Sequence, residues 1–237
     1  MYKYKERQDE VLQILPDKID DFYLAGGTAL ACFYFNHRES VDLDFFTKDY
    51  APERVEAIIE ELKKCLKKKI TLTFQVLTDG KARIMIYEIE FNKTEHLKID
   101  FVEDFFDIHK PFKKVEGINI LSLEDIYLRK IFAIAEIIPK LDITGRKQFI
   151  GGRQEAKDFF DLYYLSHTFM NLSQFAVRYL NAAFKESLVV WCRTYDCLDI
   201  KLGLKDLITD KEIDYQQMER HFKKEIDKLL KEELKDL

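Results

Sequence analysis

Several things are missing from this 237-residue chain, and each absence removes a class of function. Its four cysteines, Cys32, Cys65, Cys192 and Cys197, form no CxxC pair and have no histidines at zinc-ligand spacing, so they read as reduced cytosolic thiols rather than a zinc module. The N-terminus, MYKYKERQDE, lacks the apolar stretch of a signal peptide. No run approaches the ~20 apolar residues that a membrane helix needs. The expectation is a soluble cytoplasmic protein with no membrane partner. The net charge of −5 is not that of a protein held to nucleic acid by bulk charge, which leaves only local basic patches for that purpose. Repeats and low-complexity tracts are also absent.

What is present is enough apolar surface for a real core: 47% of residues are hydrophobic and 14% aromatic. The spacing predicts a short helix over Glu6–Leu15 with Val11, Leu12 and Leu15 on its apolar side, stopped by Pro16. A strand over Phe22–Ala25, a helix over Thr28–Phe35 and a strand over Val41–Phe46 follow. Glu53–Lys69 carries Val55, Ile58, Ile59, Leu62 and Leu66 at helical intervals, with Lys63, Lys64 and Lys67 to Lys69 on a solvated face. Strands are expected over Ile70–Leu77, Ala82–Phe91 and His96–Phe101, the first two joined at Asp79-Gly80, and a short one around Gly117–Leu121. Beyond these the chain turns helical. Ser122 with Asp125 caps a helix over Leu123–Ile138 closed by Pro139, Asp142–Gly152 reads as a loop, and Gln154–Thr168, Met170–Ala183 and Lys211–Leu234 read as helices.

The informative stretch is Tyr23–Phe46, YLAGGTALACFYFNHRESVDLDFF. Side chains two apart on a strand share a face, so Asp42 and Asp44 stand together while Leu43 and Phe45 face the core. Two such carboxylates repel unless a cation lies between them, and hard divalent cations such as Mg²⁺ take oxygen ligands and keep room for phosphate oxygens. The Gly26-Gly27 turn before a helix, with the Thr28 hydroxyl beside it, suits close backbone approach to a phosphate. Alternation in LKIDFV puts Leu97, Ile99 and Phe101 on one face, and Lys98 and Asp100 on the other. Asp100 is thereby a third carboxylate, suited to deprotonating an attacking hydroxyl.

Gly-Gly, helix, then a DxD strand resembles the first motif of polymerase-beta-like nucleotidyltransferases, and the string GGTAL, HRES, VDLDFF resembles the AbiEii/AbiGii toxin family among them. The resemblance covers roughly residues 20–168. It implies an α+β fold: a nucleotidyltransferase core of mixed sheet flanked by helices over residues 1–121, and a helical C-terminal domain over 122–237 that completes an active-site cleft. The implied activity is transfer of a nucleoside monophosphate from an NTP to an acceptor. Two Mg²⁺ ions sit on Asp42 and Asp44, with Asp100 in the same metal set and acting as base. Gly26, Gly27 and Thr28 hold the triphosphate. The family also places a lysine on a mid-chain helix, matched by Lys130, and an aspartate in a DxxDLYxL string, matched by Asp158 or by Asp161. Related toxins modify the 3′ end of tRNA and are restrained by a separately encoded antitoxin, which makes tRNA and an antitoxin the expected partners.

Arg38 and Ser40 lie just before the DxD strand, where they can touch phosphate or hold the loop by ion pair and hydrogen bond. His37 reads as a structural hydrogen-bonding residue, and Phe33-Tyr34-Phe35 and Phe105-Phe106 as core. A small-molecule nucleotidyltransferase would use the same cradle, and a non-catalytic binding module is the remaining class. Three mutually repelling carboxylates argue against the latter.

Overall fold

The computed structural model describes residues 3–78, 80–135, 137–141 and 147–235. The chain divides into two compact units, Met1–Asp125 and Ile126–Leu237. Among the described residues no helix is long and apolar enough to cross a membrane.

The first unit is built on a seven-stranded mixed sheet. Helix α1 (Lys3–Leu12) precedes strand β1 (Tyr23–Leu24) and helix α2 (Gly26–Ala29), which runs on as a π-helical stretch over Leu30–Phe35. Then come β2 (Asp42–Thr47), α3 (Pro52–Leu66), β3 (Lys69–Val76), β4 (Ile84–Asn92), β5 (Glu95–Glu103), β6 (Lys113–Val115) and β7 (Ile118–Ile120). Spatial order is β3-β4-β5-β2-β1-β7-β6. β2 runs parallel to β5 and β1 parallel to β7, while the other neighbours are antiparallel.

Period-two alternation decides which face of the sheet is core. Leu43 and Phe45 from β2, and Leu97, Ile99 and Phe101 from β5, are fully buried. Phe101 stacks on Phe45 at 5.8 Å and meets Phe22 edge-on at 5.3 Å. Helix α3 starts with Pro52 in its first turn and stops where Lys67 turns left-handed at φ 53°, and its five expected apolar positions are all buried. Phe105 and Phe106, expected in the core, are instead 67% and 48% exposed. They lie past the end of β5, outside its buried alternation, and the Phe106 N–H is bonded to the Asp104 carboxylate.

The second unit contains most of α4 (Leu123–Ala135), then β8 (Ile137–Leu141), β9 (Lys147–Gly151), α5 (Ala156–Tyr164) continuing as a π-helical stretch over Leu165–Phe169, α6 (Leu172–Tyr179), α7 (Ala182–Thr194), α8 (Cys197–Lys205) and α9 (Tyr215–Glu233). The expected helix to Ile138 ends early, because Ile137–Leu141 pairs with Lys147–Gly151 as a two-stranded ribbon. Pro139 sits in that ribbon, where both strands are edges and a missing N–H is tolerated. The loop expected over Asp142–Gly152 is thus partly strand, and Asp142 to Arg146 lie outside the described residues, as does Asp79 of the expected hairpin turn. The single helix expected over Met170–Ala183 is two: Leu180 is extended at φ −103°, and the Asn181 side chain accepts from the Phe184 N–H to start α7 afresh. Asp196 caps α8 in the same way. Packing centres on Phe159, whose ring meets Trp191, Tyr195, Tyr215 and Phe222. Gly203 lets α8 lie close to α5, since a Cβ there would come 2.7 Å from the Ala156 Cβ.

The start of α4 has the expected reciprocal cap. Ser122 Oγ donates to Asp125 Oδ2 at 2.7 Å and accepts the Asp125 N–H at 3.1 Å, while the His109 and Lys110 N–H groups also donate to the carboxylate. Burial pushes the Asp125 carboxyl up, but the donors from His109, Ser122 and Lys110 outweigh it and hold the group below its ordinary value. A depressed folded-state pKa gives stability that is complete above the unfolded value of about 4 and is lost as the pH falls through the folded one. Asp125→Asn should therefore cost about 1–3 kcal/mol at neutral pH in urea unfolding, and the gap from the unaltered protein should close below about pH 4. A gap that persists unchanged into acid would contradict this account.

Candidate active site

Parallel pairing of β2 with β5 places Asp44 opposite Asp100 and Asp42 opposite Lys98. All four side chains stand on the face of the sheet away from the buried Leu43, Phe45, Ile99 and Phe101. Asp100 is 7% exposed, so its charge is largely withdrawn from water. Lys98 answers it: the ammonium lies 2.9 Å from Asp100 Oδ2 and 3.9 Å from Asp42 Oδ1. Burial pulls the Lys98 pKa down, but the bond to Asp100 and the charges of Asp100, Asp42 and Asp44 prevail and raise it above its ordinary value.

The Gly26-Gly27 turn borders this square. Gly26 has φ +68°, and a Cβ there would come 3.5 Å from Asp44 Oδ2, so glycine serves both the left-handed backbone and the open space beside the carboxylate. The Ala25 N–H bonds to the Asp44 carbonyl at 3.2 Å, tying the turn to the DxD strand. Thr28 is buried: its hydroxyl donates to the Asp42 carbonyl at 2.9 Å, so the 2.7 Å contact with Ser40 Oγ has Ser40 as donor. Gln8 of α1 adds bonds from Nε2 to the Ser40 and Asp42 carbonyls. Arg38 is 6% exposed and donates to the Glu39 carbonyl at 3.0 Å, while the Glu39 carboxylate accepts the Tyr4 N–H at the start of α1. His37 is buried with its ring edge-on to Phe35. Residues 37–40 thus hold the approach to β2 in place.

Carboxylates on neighbouring strands beside an open glycine turn make an all-oxygen donor set, which fits a hard divalent cation such as Mg²⁺. Among the described residues, however, no three acidic, histidine or cysteine side chains are gathered as a metal centre, and Lys98 supplies the positive charge among the acids.

In the second unit Lys130 of α4 and the two aspartates of α5 come together. Lys130 Nζ lies 2.6 Å from Asp158 Oδ1 and 2.7 Å from Asp161 Oδ2, with side-chain exposures of 7%, 0% and 0%. Three-residue spacing on α5 presents both carboxylates to one ammonium. Arg153, just before α5, places Nε 3.1 Å from Asp158 Oδ2, whereas Lys157 pairs with Glu155.

Sequence reasoning left Lys98 without a role, although the same alternation that selects Asp100 puts Lys98 beside it. Gln8 and Glu39 carried no signal at all, because their task depends on where α1 is docked.

An α+β sheet carrying a Gly-Gly turn against acidic strands is the framework of a nucleotidyltransferase, and the solved structures agree on the fold. JHP933 from Helicobacter pylori superposes with a TM-score of 0.57 at 19% identity, covering 98% of this chain and 94% of that one. MenT4, a nucleotidyltransferase toxin of Mycobacterium tuberculosis H37Rv, does so with a TM-score of 0.55 at 13% identity, covering 96% and 82%. A protein of Aquifex aeolicus (strain VF5), aq_aa25, is 32% identical over 175 residues, 70% of this chain and 68% of that one. The profile described as "Nucleotidyl transferase AbiEii toxin, Type IV TA system" matches residues 11–237. The chain belongs to the AbiEii nucleotidyltransferase toxin family.

The buried cluster makes a stability prediction. Lys130→Met takes away the ammonium shared by Asp158 and Asp161 and leaves two buried carboxylates close together, and should cost about 3–5 kcal/mol in urea unfolding. Adding Asp161→Asn should return part of that loss. A cost below about 1 kcal/mol, or no recovery in the double variant, would contradict the ion cluster as drawn.

Proposed function

We propose that this toxin is a Mg²⁺-dependent nucleotidyltransferase that moves a nucleoside monophosphate from an NTP to the 3′ end of tRNA, and that a separately encoded antitoxin restrains it. The observation that carries the reading is the register of β2 against β5, which sets Asp42, Asp44 and Asp100 on one face beside the Gly26 turn. In this reading Asp42 and Asp44, with Asp100, hold the metal. When bound, Mg²⁺ supplies neutralisation of phosphate charge and polarisation at the α-phosphorus.

The chain's own groups do the rest. The backbone N–H groups of Gly26, Gly27 and Thr28 point the start of α2 at the triphosphate, and the engaged Thr28 hydroxyl keeps that turn on β2. Asp100 takes the proton of the acceptor hydroxyl as its oxygen bonds to the α-phosphorus and the bond to pyrophosphate breaks. Arg38 and Ser40 serve by holding the loop that leads into the DxD strand. Lys130 matches the lysine that the family resemblance puts on a mid-chain helix, and both Asp158 and Asp161 fix where its ammonium stands. The acceptor follows from the family resemblance, as does the antitoxin.

The test incubates purified protein with each α-labelled NTP, Mg²⁺ and total tRNA, resolving RNA and protein on one gel. Label should enter tRNA from one preferred NTP, and Asp44→Ala should lower the rate on the order of 10³-fold or more. Label in protein alone, or in an added aminoglycoside alone, would refute tRNA as the acceptor. Equal labelling by Asp44→Ala would refute the acidic cradle.

A further inference from the structure

Lys98 is a cation that the register of the sheet delivers directly into the acidic square, and the proposed chemistry does not use it. It sits at the position on β5 opposite Asp42 and two residues before Asp100, on their shared face. Its ammonium reaches toward the two acids from different strands, at 2.9 Å and 3.9 Å. Its other cross-strand neighbour is Glu88 on β4, whose Oε1 lies 3.1 Å from His96 Nδ1. Lys98 therefore leans into the cradle where a divalent ion would draw on the same oxygens.

The two sides of this contact differ in freedom. The Asp100 side chain is 9% exposed and anchored on an interior strand, whereas the Lys98 side chain is 42% exposed on a flexible four-carbon stem. The ammonium can swing into solvent while the carboxylate stays. A unit positive charge about 3–4 Å from a ligand oxygen opposes entry of a second cation strongly, and more so near a withdrawn carboxylate than in bulk water.

Resting on the metal-dependent reading above, we propose that Lys98 is a built-in counter-ion that competes with divalent metal for Asp42 and Asp100. Free metal is held off, and the cradle fills when the metal arrives with the negative charge of an NTP, which also gives the displaced ammonium a partner. Lys98 is thus a positioning residue that couples metal loading to nucleotide binding.

The experiment measures Mn²⁺ binding without nucleotide, from the electron paramagnetic resonance signal of the free ion, on the full chain and on Lys98→Met and Lys98→Arg, with Lys98→Gln in place of Lys98→Met should that variant fail to fold by near-UV circular dichroism. A parallel thermal-shift series uses Mg²⁺ with each NTP. The neutral variant should bind Mn²⁺ on the order of tenfold more tightly than the unaltered protein, and Lys98→Arg should stay close to the unaltered value. A merely structural lysine would weaken metal binding when removed, not strengthen it. Equal or weaker Mn²⁺ binding by the neutral variant, while the unaltered protein is stabilised by Mg²⁺ with an NTP, overturns the competition and leaves the metal reading standing. No response of any of these proteins to metal, with or without NTP, overturns both.

Discussion

The first unit depends on one pairing, the parallel ladder between β2 and β5. Because their register aligns Asp44 with Asp100 and Asp42 with Lys98, a single set of backbone hydrogen bonds decides both where the core lies and where the charges gather. A slip of one residue would bury the acids and expose Phe45 and Phe101. The fully buried aromatic layer is therefore what holds the charged square in place. Repulsion among three carboxylates works against folding, and Lys98, close to Asp100 and Asp42, offsets part of it.

The second unit meets a similar problem by different means. Lys130 is enclosed between Asp158 and Asp161, with Arg153 closing the cluster at its exposed side. A buried pair of this kind adds little net stability compared with apolar residues, but it fixes one side-chain arrangement, since removing any member leaves an uncompensated charge. Loss of activity in a Lys130 variant consequently has to be read beside its stability. By contrast, Lys98 is partly exposed and retains the freedom to move.

Much of this was legible in the sequence wherever periodicity was strong. The alternation in VDLDFF and LKIDFV placed Asp42, Asp44 and Asp100 on the face away from the core, and the stripe of Val55, Ile58, Ile59, Leu62 and Leu66 gave α3. The Ser122–Asp125 cap was readable because both partners lie within one turn. What escaped was set by contacts distant along the chain. The ribbon Ile137–Leu141 with Lys147–Gly151 has too short a pattern to be separated from the end of a helix, and Pro139 looked like a stop signal. The restart of helix at Asn181 shows only in the extended backbone of Leu180. Phe105 and Phe106 looked like core by composition, yet lie beyond the strand that would have buried them. In the second unit, the KDFFDLYYL string offered two aspartates without ranking them, and the fold shows both on the same ammonium.

The central claim is that the carboxylates of β2 and β5 are a metal cradle with Lys98 as resident counter-ion. The most direct measurement is a crystal structure of the protein grown with Mn²⁺ and a non-hydrolysable NTP, read by anomalous scattering. The account predicts Mn²⁺ density bounded by Asp42, Asp44 and Asp100, with the triphosphate at the Gly26-Gly27 turn and the Lys98 ammonium withdrawn from Asp42 and Asp100. Nucleotide bound with Mn²⁺ held elsewhere, or Lys98 still seated between those two acids, would contradict it.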